Sequence, residues 1–186
     1  MKVVGGPQIA VYGGGYFNIL DPDSTPVPIE AIANGLANTC RFAGQCDPFY
    51  SVAEHCVLGS YQVEPGYEYE FLLHDATEGL IHDITKPLKL ELYDYQVIER
   101  SVEKSFARQF GFTVPMPAAV KVADLRMLAT EQCQVMTHTD EWLLAEGHEP
   151  YDIDIQGWTP KLARKRFLQR YNELKGRVTS RRRRAV

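Results

Sequence analysis

The sequence predicts one all-α domain with a short loop/β N-terminal arm, and three observations predict this fold class. From residue 29 onward, apolar residues recur with the helical period of about 3.6. The first 28 residues are instead rich in Gly and Pro, which favour turns. The 186 residues contain no internal repeat or linker, and this length suits a single domain. We therefore assign an N-terminal arm packed on the domain (1–28), a helical domain (29–178) and a basic tail (179–186) that is expected to be disordered.

Periodicity predicts the individual elements in order. Within the arm, residues 16–20 alternate in polarity, as a short strand or hairpin arm does. Apolar positions spaced along one helix face predict helices over residues 29–39, 52–63, 69–81, 93–110, 118–144 and 160–175. Pro87 is expected to break the chain between two of these helices.

Local signals mark several helix ends. Ser51 and Glu54 form a capping-box pattern. In such a box the hydroxyl accepts a hydrogen bond from a free backbone N–H of the first turn, and the carboxylate accepts one from the backbone N–H of the N-cap residue. Gly111 stands where a C-terminal cap belongs. Thr159 and Pro160 suit the N-cap and the first helical position, so the last helix is predicted to begin there.

Composition argues against several classes of protein. The hydrophobic share of 45% is ordinary for a globular domain. No run of 18 apolar residues exists, so no membrane span is expected. The N-terminus lacks the basic start and long apolar stretch of a signal peptide, and the four cysteines form no CxxC pair. We therefore expect a cytoplasmic protein with buried, reduced thiols.

Charge is distributed unevenly along the chain. The net charge is −4, yet residues 181–184 form a run of arginines. Such runs either bind nucleic acid or stay solvated. No aromatic residue or nucleic-acid motif adjoins this run, so we expect a solvated tail and no nucleic-acid partner.

The chemically informative feature is a set of polar residues in segments that otherwise look apolar. His74 and Asp75 directly follow the apolar residues 71–73. A charged Asp is rarely buried without a partner, and a metal ion is one such partner. His55 lies on the preceding predicted helix, and Asp124 lies on a later one among apolar neighbours. Two imidazoles and two carboxylates suit a first-row divalent ion with open positions, which activates water and polarises a phosphoryl oxygen.

The alternative interpretation is that these are separate polar side chains, each satisfied by its own neighbours. A single His or Asp favours that interpretation, and a His-Asp doublet decides nothing because such doublets are common. The combined order of all four residues on three helices is much harder to obtain by chance.

In their order along the chain, His55, His74-Asp75 and Asp124 resemble the H…HD…D signature of HD-superfamily phosphohydrolases. The resemblance implies an HD-domain helical bundle in which these four residues bind one divalent transition metal ion, whether Co, Mn, Zn, Ni or Fe. Some HD enzymes hold a second ion through further histidines, and this sequence has no well-placed extra histidine.

Longer segments carry a closer resemblance. Residues 71–89, FLLHDATEGLIHDITKPLK, are similar to bacterial 5′-deoxynucleotidases and small phage proteins of the superfamily. So are residues 41–42, Arg-Phe, followed by YSVAEH at 50–55. The likeness covers residues 16–124. The sequence also resembles phage dATP triphosphohydrolases, which clear dATP where 2-aminoadenine replaces adenine in DNA.

The resemblance implies roles for the residues around the metal. Glu78 would be the acid/base near the leaving group or attacking water, and Asp83 would orient that water. Arg41 would contact the sugar or phosphate, and Phe42 would read the 2′ position of the sugar. The alternative for Arg41 and Phe42 is an ordinary helix end, with the guanidinium on the last carbonyls and the ring in the core.

Other charged residues are ambiguous. Lys86 and Lys89 are close enough in sequence to neutralise further phosphates, or else lie in a solvated loop. His82 either faces the site or has a surface or capping role. His138 and His148 are expected to be structural or exposed.

We therefore expect a metal-dependent enzyme that hydrolyses the 5′ phosphoester of deoxynucleotides. The favoured form is a dNTP triphosphohydrolase that prefers dATP and releases deoxynucleoside and triphosphate. The alternatives are a 5′-deoxynucleotidase acting on dNMPs and a non-catalytic nucleotide-binding or regulatory HD module. Such a module is expected to lack a ligand or Glu78, and the sequence retains them all. We also expect a homo-oligomer with no membrane partner, in the host cytoplasm if a phage encodes it.

Overall fold

The structure is a computed structural model that describes residues 5–138, 140, 142 and 145–184, with the side chains of the last helix described as far as Arg177. It is mostly helical, which confirms the predicted class. The strands are β1 (Gln8–Ala10) and β2 (Tyr16–Asn18). The helices are α1 (Ile29–Asn38), α2 (Val52–Gly59), α3 (Glu68–Leu73), α4 (Glu78–Ile81), α5 (Lys86–Glu91), α6 (Tyr93–Phe110), α7 (Ala118–Val135) and α8 (Pro160–Arg184). Within the described residues, no helix has both the length and the apolar character needed to cross a membrane.

The N-terminal arm is a β-hairpin that packs on the helical domain. β1 and β2 pair antiparallel, with Ile9 opposite Phe17. The predicted strand over 16–20 is thus confirmed in part, since β2 ends at Asn18. Phe17 is fully buried, and its ring lies 5.9 Å from that of Phe106 on α6.

The main core forms where α8 packs against α1, α2 and α3. α8 contributes Phe167 and Tyr171, and α1 and α3 contribute Leu36 and Leu72. Burying such a side chain contributes about 1.5–3 kcal/mol. This packing holds α2 and α3 side by side, and the two predicted histidine ligands lie on α2 and directly after α3.

The predicted helix over 69–81 is wrong, because the chain forms two short helices with a tight turn between them. The amides of His74, Ala76 and Glu78 bond to carbonyls three residues earlier, at 3.4, 3.1 and 2.9 Å. Such bonds wind the chain more tightly than an α-helix does. His74 and Asp75 therefore lie in a turn between α3 and α4.

α4 packs backbone against backbone on α1, at Gly35 and Gly79. A Cβ atom on Gly35 would lie 1.8 Å from the carbonyl oxygen of Gly79, and one on Gly79 would lie 2.8 Å from that of Ile32. Any side chain at either position would push the two helices apart. Since α4 begins at Glu78, this contact also sets the position of that residue.

Two other helix boundaries differ from the predictions. α7 was predicted to reach residue 144 but ends at Val135, whose carbonyl accepts the amide of Asp47 at 2.8 Å in place of a helical partner. Pro87 was predicted to break the chain, but it lies in the first turn of α5, where its missing amide costs nothing.

α2 was predicted over 52–63 and ends earlier, at Gly59. The hydroxyl of Ser51 accepts the Glu54 amide at 3.2 Å, which confirms half of the capping box. The Glu54 carboxylate does not reach back. It accepts the amides of residues 156–158 instead, at 3.1, 3.1 and 2.6 Å, and so ties that segment to α2.

Elements governed by local signals agree with the sequence. α6 has the predicted bounds, and Gly111 adopts the left-handed conformation of a C-terminal cap (φ 78°). Thr159 accepts the amide of Leu162 at 3.4 Å at the start of α8. α8 continues to Arg184, beyond the predicted end at residue 175. The predicted disorder of 179–186 stays a prediction, since the side chains there lie outside the described part.

The cysteines are free thiols, as predicted, but most are not buried. Cys56 alone among them is fully covered, whereas Cys133 is exposed and Cys40 and Cys46 are half-buried. The last two have their sulfur atoms 3.6 Å apart. Burial raises the pKa of the Cys46 thiol to about 11, and the contact with Cys40 acts in the same direction.

Candidate active site

The four predicted metal ligands meet at one point between α2, α7 and the turn after α3. The Nε2 atoms of His55 and His74 are 3.4 Å apart. Asp124 Oδ1 lies 3.2 Å from the first and 3.5 Å from the second. Asp75 Oδ2 lies 3.7 and 3.2 Å from the same two nitrogens. His55, His74 and Asp75 form a group that could hold a metal ion.

Both imidazoles are oriented so that Nε2 points into this cluster. His74 Nδ1 lies 2.7 Å from the carbonyl oxygen of Phe71. His55 Nδ1 lies 2.6 Å from Oε1 of Glu131. When each Nδ1 carries the proton and donates it to these oxygens, each Nε2 presents a lone pair to the centre of the cluster. Hydrogen bonds of this kind set the tautomer and ring position of metal-binding histidines.

Glu131 is a residue of the candidate site that the sequence reasoning missed. It is fully buried on α7, and besides His55 it accepts the Tyr50 hydroxyl at 3.0 Å and an Arg41 nitrogen at 2.9 Å. A signal for it existed, because Glu131 lies seven residues after Asp124 and therefore on the same face of the helix. The carboxylate links the cluster of predicted metal ligands to the predicted substrate residue Arg41.

Electrostatics in the cluster favour positive charge at its centre. Burial alone would lower the pKa of His74, but the carboxylates of Asp75 and Asp124 outweigh it and raise that pKa well above its ordinary value. Burial alone would raise the pKa of Asp124, but contact with His55 and His74 holds it well below its usual range. Protons on the imidazoles or a bound cation would each supply the charge that the carboxylates require.

A pocket of about 620 Å³ adjoins the cluster. This volume lies within the range of small-molecule sites, about 300–1,000 Å³. Every residue predicted for acid/base chemistry or substrate contact lines it, namely Arg41, Phe42, Glu78, Asp83, Lys86 and Lys89. Asp75 and Asp124 from the cluster line it as well. The structure therefore brings together residues that span 84 positions of the sequence, from 41 to 124.

Glu78 lies in this pocket as a buried carboxyl group. Burial raises its pKa well above the ordinary value, and the nearby carboxylates of Asp75 and Asp83 act in the same direction. Its Oε1 lies 3.7 Å from Lys89 Nζ, and its buried Oε2 has no hydrogen-bond partner among the described residues. Burial also raises the pKa of Asp83, against the effect of Arg41. A carboxyl group with one unpartnered oxygen is suited to exchange a proton with a ligand.

Residues 41–44 form a strained turn that places Arg41 and Phe42 in the pocket. Phe42 and Ala43 have φ of 55° and 52°, the left-handed region that costs a non-glycine residue about 1–2 kcal/mol. Arg41 pairs with Asp75 at 3.6 Å and with Glu131, not with helix carbonyls, and Phe42 lines the pocket instead of the core. The interpretation as an ordinary helix end is therefore wrong, and strain of this kind is typical of functional sites.

The remaining charged candidates are two lysines that line the pocket and three histidines that do not. Lys89 is paired with Glu99 at 2.7 Å, whereas Lys86 is exposed at the pocket. His82 is exposed at the end of α4, outside the pocket lining. His138 is also exposed, and His148 is half-buried.

No family model matches this chain. Over 168 residues it is 36% identical to the uncharacterized protein YfdR of Escherichia coli strain K12, a match that covers 89% of this chain and 94% of YfdR. The chain belongs to the YfdR family. A second YfdR-like relative, an uncharacterized protein of Rhodobacter capsulatus, is 33% identical over 120 residues, which cover 59% of this chain and 61% of that protein.

In this YfdR-family protein, if the cluster holds a metal ion as predicted, Glu131→Gln is expected to lower metal affinity about 10- to 100-fold, the usual effect of losing a hydrogen-bond partner of a ligand. A glutamine amide lacks the charge that pairs with Arg41 and holds the His55 proton. Competition with a chelating dye measures the affinity.

Glu54→Gln is the matched control, because Glu54 is equally buried but bonds to the backbone of 156–158. It should lower the free energy of unfolding by about 1–3 kcal/mol and leave metal affinity unchanged. If Glu131→Gln binds metal with the affinity of the wild type, Glu131 does not support the metal ligands.

Proposed function

We propose that this protein is a metal-dependent phosphohydrolase of the HD type that hydrolyses the 5′ phosphoester of deoxynucleotides. The observation that carries the proposal is the convergence of two oriented imidazoles and two carboxylates at the edge of one pocket. The H…HD…D order of these residues, and the buried acid Glu78 beside them, support the same class of reaction.

The donor set of the cluster fits one divalent transition metal ion, whether Co, Mn, Zn, Ni or Fe. Donor atoms 3.2–3.7 Å apart are separated as neighbouring ligands of an ion with bonds of about 2.0–2.2 Å. His55, His74, Asp75 and Asp124 would hold this ion. Such an ion, when bound, polarises a phosphoryl oxygen and makes water more acidic.

The other residues of the pocket would divide the remaining work. Arg41 would bind the phosphate or sugar, and its buried Nε has no hydrogen-bond partner among the described residues. Glu78 would exchange a proton with the water or the leaving 5′ oxygen through its unpartnered Oε2. Asp83 would accept a hydrogen bond from the water and so orient it. Phe42 would lie against the sugar at its 2′ position.

The favoured substrate is a dNTP, dATP above all, with release of deoxynucleoside and triphosphate. The pocket volume and the exposed Lys86 at the pocket support it. One observation favours the second candidate, a 5′-deoxynucleotidase acting on dNMPs. Lys89 is paired with Glu99 and lies near Glu78, so less of its charge is available to further phosphates.

Product analysis tests the proposal directly. The protein is stripped of metal, reloaded with each candidate ion in turn, and incubated with dATP or dAMP. A triphosphohydrolase releases deoxyadenosine and triphosphate from dATP, whereas a 5′-nucleotidase releases deoxyadenosine and phosphate from dAMP. If no ion supports hydrolysis of either nucleotide, the proposal fails and a non-catalytic nucleotide-binding module is the better interpretation.

Replacing Phe42 with alanine is expected to weaken discrimination against ribonucleotides. A ring packed against C2′ leaves no room for a hydroxyl, and exclusion of one small group by packing contributes about 10- to 200-fold in selectivity. The measurement is the ratio of kcat/KM for the deoxy and ribo forms of one nucleotide. Phe49→Ala is the control, because Phe49 is aromatic, 38% exposed and outside the pocket lining. An unchanged ratio in folded Phe42→Ala protein would exclude Phe42 from sugar recognition.

A further inference from the structure

Trp142 lines the same pocket and is not explained by the chemistry at the metal cluster. Its ring centroid lies 5.5 Å from that of Phe42, with the two ring planes tilted by 55°. Its ring centroid also lies 6.0 Å from that of His138. The chain thus places an indole in the wall of the pocket, in contact with the ring assigned to the sugar.

A series of contacts leads from the cluster to this indole. An Arg41 nitrogen lies 3.6 Å from Asp75 Oδ2, and the Arg41 guanidinium carbon lies 5.4 Å from the Phe42 ring centre. Phe42 in turn contacts Trp142. The groups met along this series are a carboxylate of the cluster, a guanidinium, a phenyl ring and an indole. Leu128 lies in the same wall, one helical turn beyond Asp124 on α7, and adds apolar surface there.

A deoxynucleotide has its chemical groups in a matching order, from phosphate through sugar to aromatic base. The phosphate would meet the cluster and Arg41, and the sugar would meet Phe42. An aromatic surface in the next position suits a base, because every base has a face that stacks on an aromatic ring. Phe42 and Trp142 are in contact and tilted, so a base would stack on the face of Trp142 and not between the two rings.

We propose that Trp142 binds the nucleobase by stacking and so supplies affinity for base-bearing ligands. This inference rests on the proposed function for its choice of ligand. Stacking tolerates different bases, so Trp142 contributes affinity for a nucleotide as a class, while base choice comes from other contacts.

Ligand binding tests the role of Trp142 apart from turnover. The probe is the phosphonate analogue of dAMP, in which a methylene group replaces the 5′ oxygen and prevents hydrolysis. Its matched control is the same sugar phosphonate without the base. The chain has two tryptophans, and the other, Trp158, is buried and covered by Arg166. Intrinsic fluorescence of the full-length protein therefore reports on Trp142, with the Trp142→Phe variant as the blank.

The expected result has two parts. The analogue with a base quenches the wild-type fluorescence saturably, and the base-free phosphonate does not. By calorimetry, Trp142→Ala weakens binding of the base-bearing analogue about 5- to 100-fold, whereas Trp142→Phe, which keeps an aromatic face, retains most of the affinity. In Trp142→Ala, binding of the base-free phosphonate falls much less than binding of the base-bearing analogue.

Equal affinity of wild-type and Trp142→Ala protein for the base-bearing analogue would overturn the inference, as would failure of that analogue to bind. Hydrolysis assays separate this outcome from failure of the proposed function. If Trp142→Ala hydrolyses dAMP or dATP with wild-type kcat/KM, the phosphohydrolase proposal stands and the stacking role falls. If the wild-type protein hydrolyses neither nucleotide but binding depends on the base through Trp142, the stacking role stands and the hydrolytic proposal falls.

Discussion

Under the proposed function, replacing His74 with alanine is expected to abolish hydrolysis and to lower the amount of bound metal. His74 Nε2 lies within 3.5 Å of donor atoms from His55, Asp75 and Asp124, so its loss opens the centre of the cluster. The remaining carboxylates would then lie close together with less positive charge between them. Asp75→Ala should have the same effect, because Asp75 Oδ2 lies within 3.7 Å of both imidazoles.

Metal content by elemental analysis and hydrolysis by product chromatography measure these two effects separately. His148→Ala is the control, since His148 is half-buried outside the pocket lining and should leave both quantities unchanged. Full activity of either cluster variant in chelator-treated buffer would mean that the four-residue assignment is wrong.

Glu78→Gln is expected to retain the metal and to lower the rate of hydrolysis about 10²- to 10⁴-fold, the usual contribution of a general acid or base. Glutamine keeps the size and polarity of the side chain but cannot exchange a proton. The unpartnered Oε2 is the observation behind this prediction, and burial raises the pKa of the same carboxyl group.

The Glu78→Gln result requires kcat and metal content from the same preparation. Glu91→Gln, at the exposed end of α5, is the matched control and should behave as the wild type. Parallel loss of metal and activity in Glu78→Gln would make Glu78 a ligand and would leave the proton transfer to Asp83 or another group.

Features governed by local interactions could be predicted from the sequence. α6 has its predicted bounds because its apolar period and the glycine at 111 act within a few residues. The four cluster residues were singled out because polar side chains interrupt apolar segments, in an order that resembles the H…HD…D signature. The expected homo-oligomer and the cytoplasmic location stay predictions.

Features governed by distant contacts could not be predicted in this way. The break between α3 and α4 accompanies the packing of Gly79 on α1. No residue near Gly79 in the sequence predicts this contact. Phe42 and Ala43 adopt left-handed backbone without being glycine, so composition offers no sign of the turn. Glu131 was overlooked because its three partners come from residues 76 to 90 positions away in the chain.

The contact between Gly35 and Gly79 makes the position of Glu78 depend on a residue of α1 that is outside the pocket lining. α4 has four residues, too few to hold a helix by its own hydrogen bonds, so its placement depends on what it packs against. A methyl group at Gly35 would displace α4 and with it the acid that begins it. If the proposed function holds, a substitution chosen in α1 for thermal stability would therefore lower the rate of hydrolysis while leaving the four predicted metal ligands in place. A random mutagenesis screen for activity should recover α1 variants that no inspection of the pocket would select.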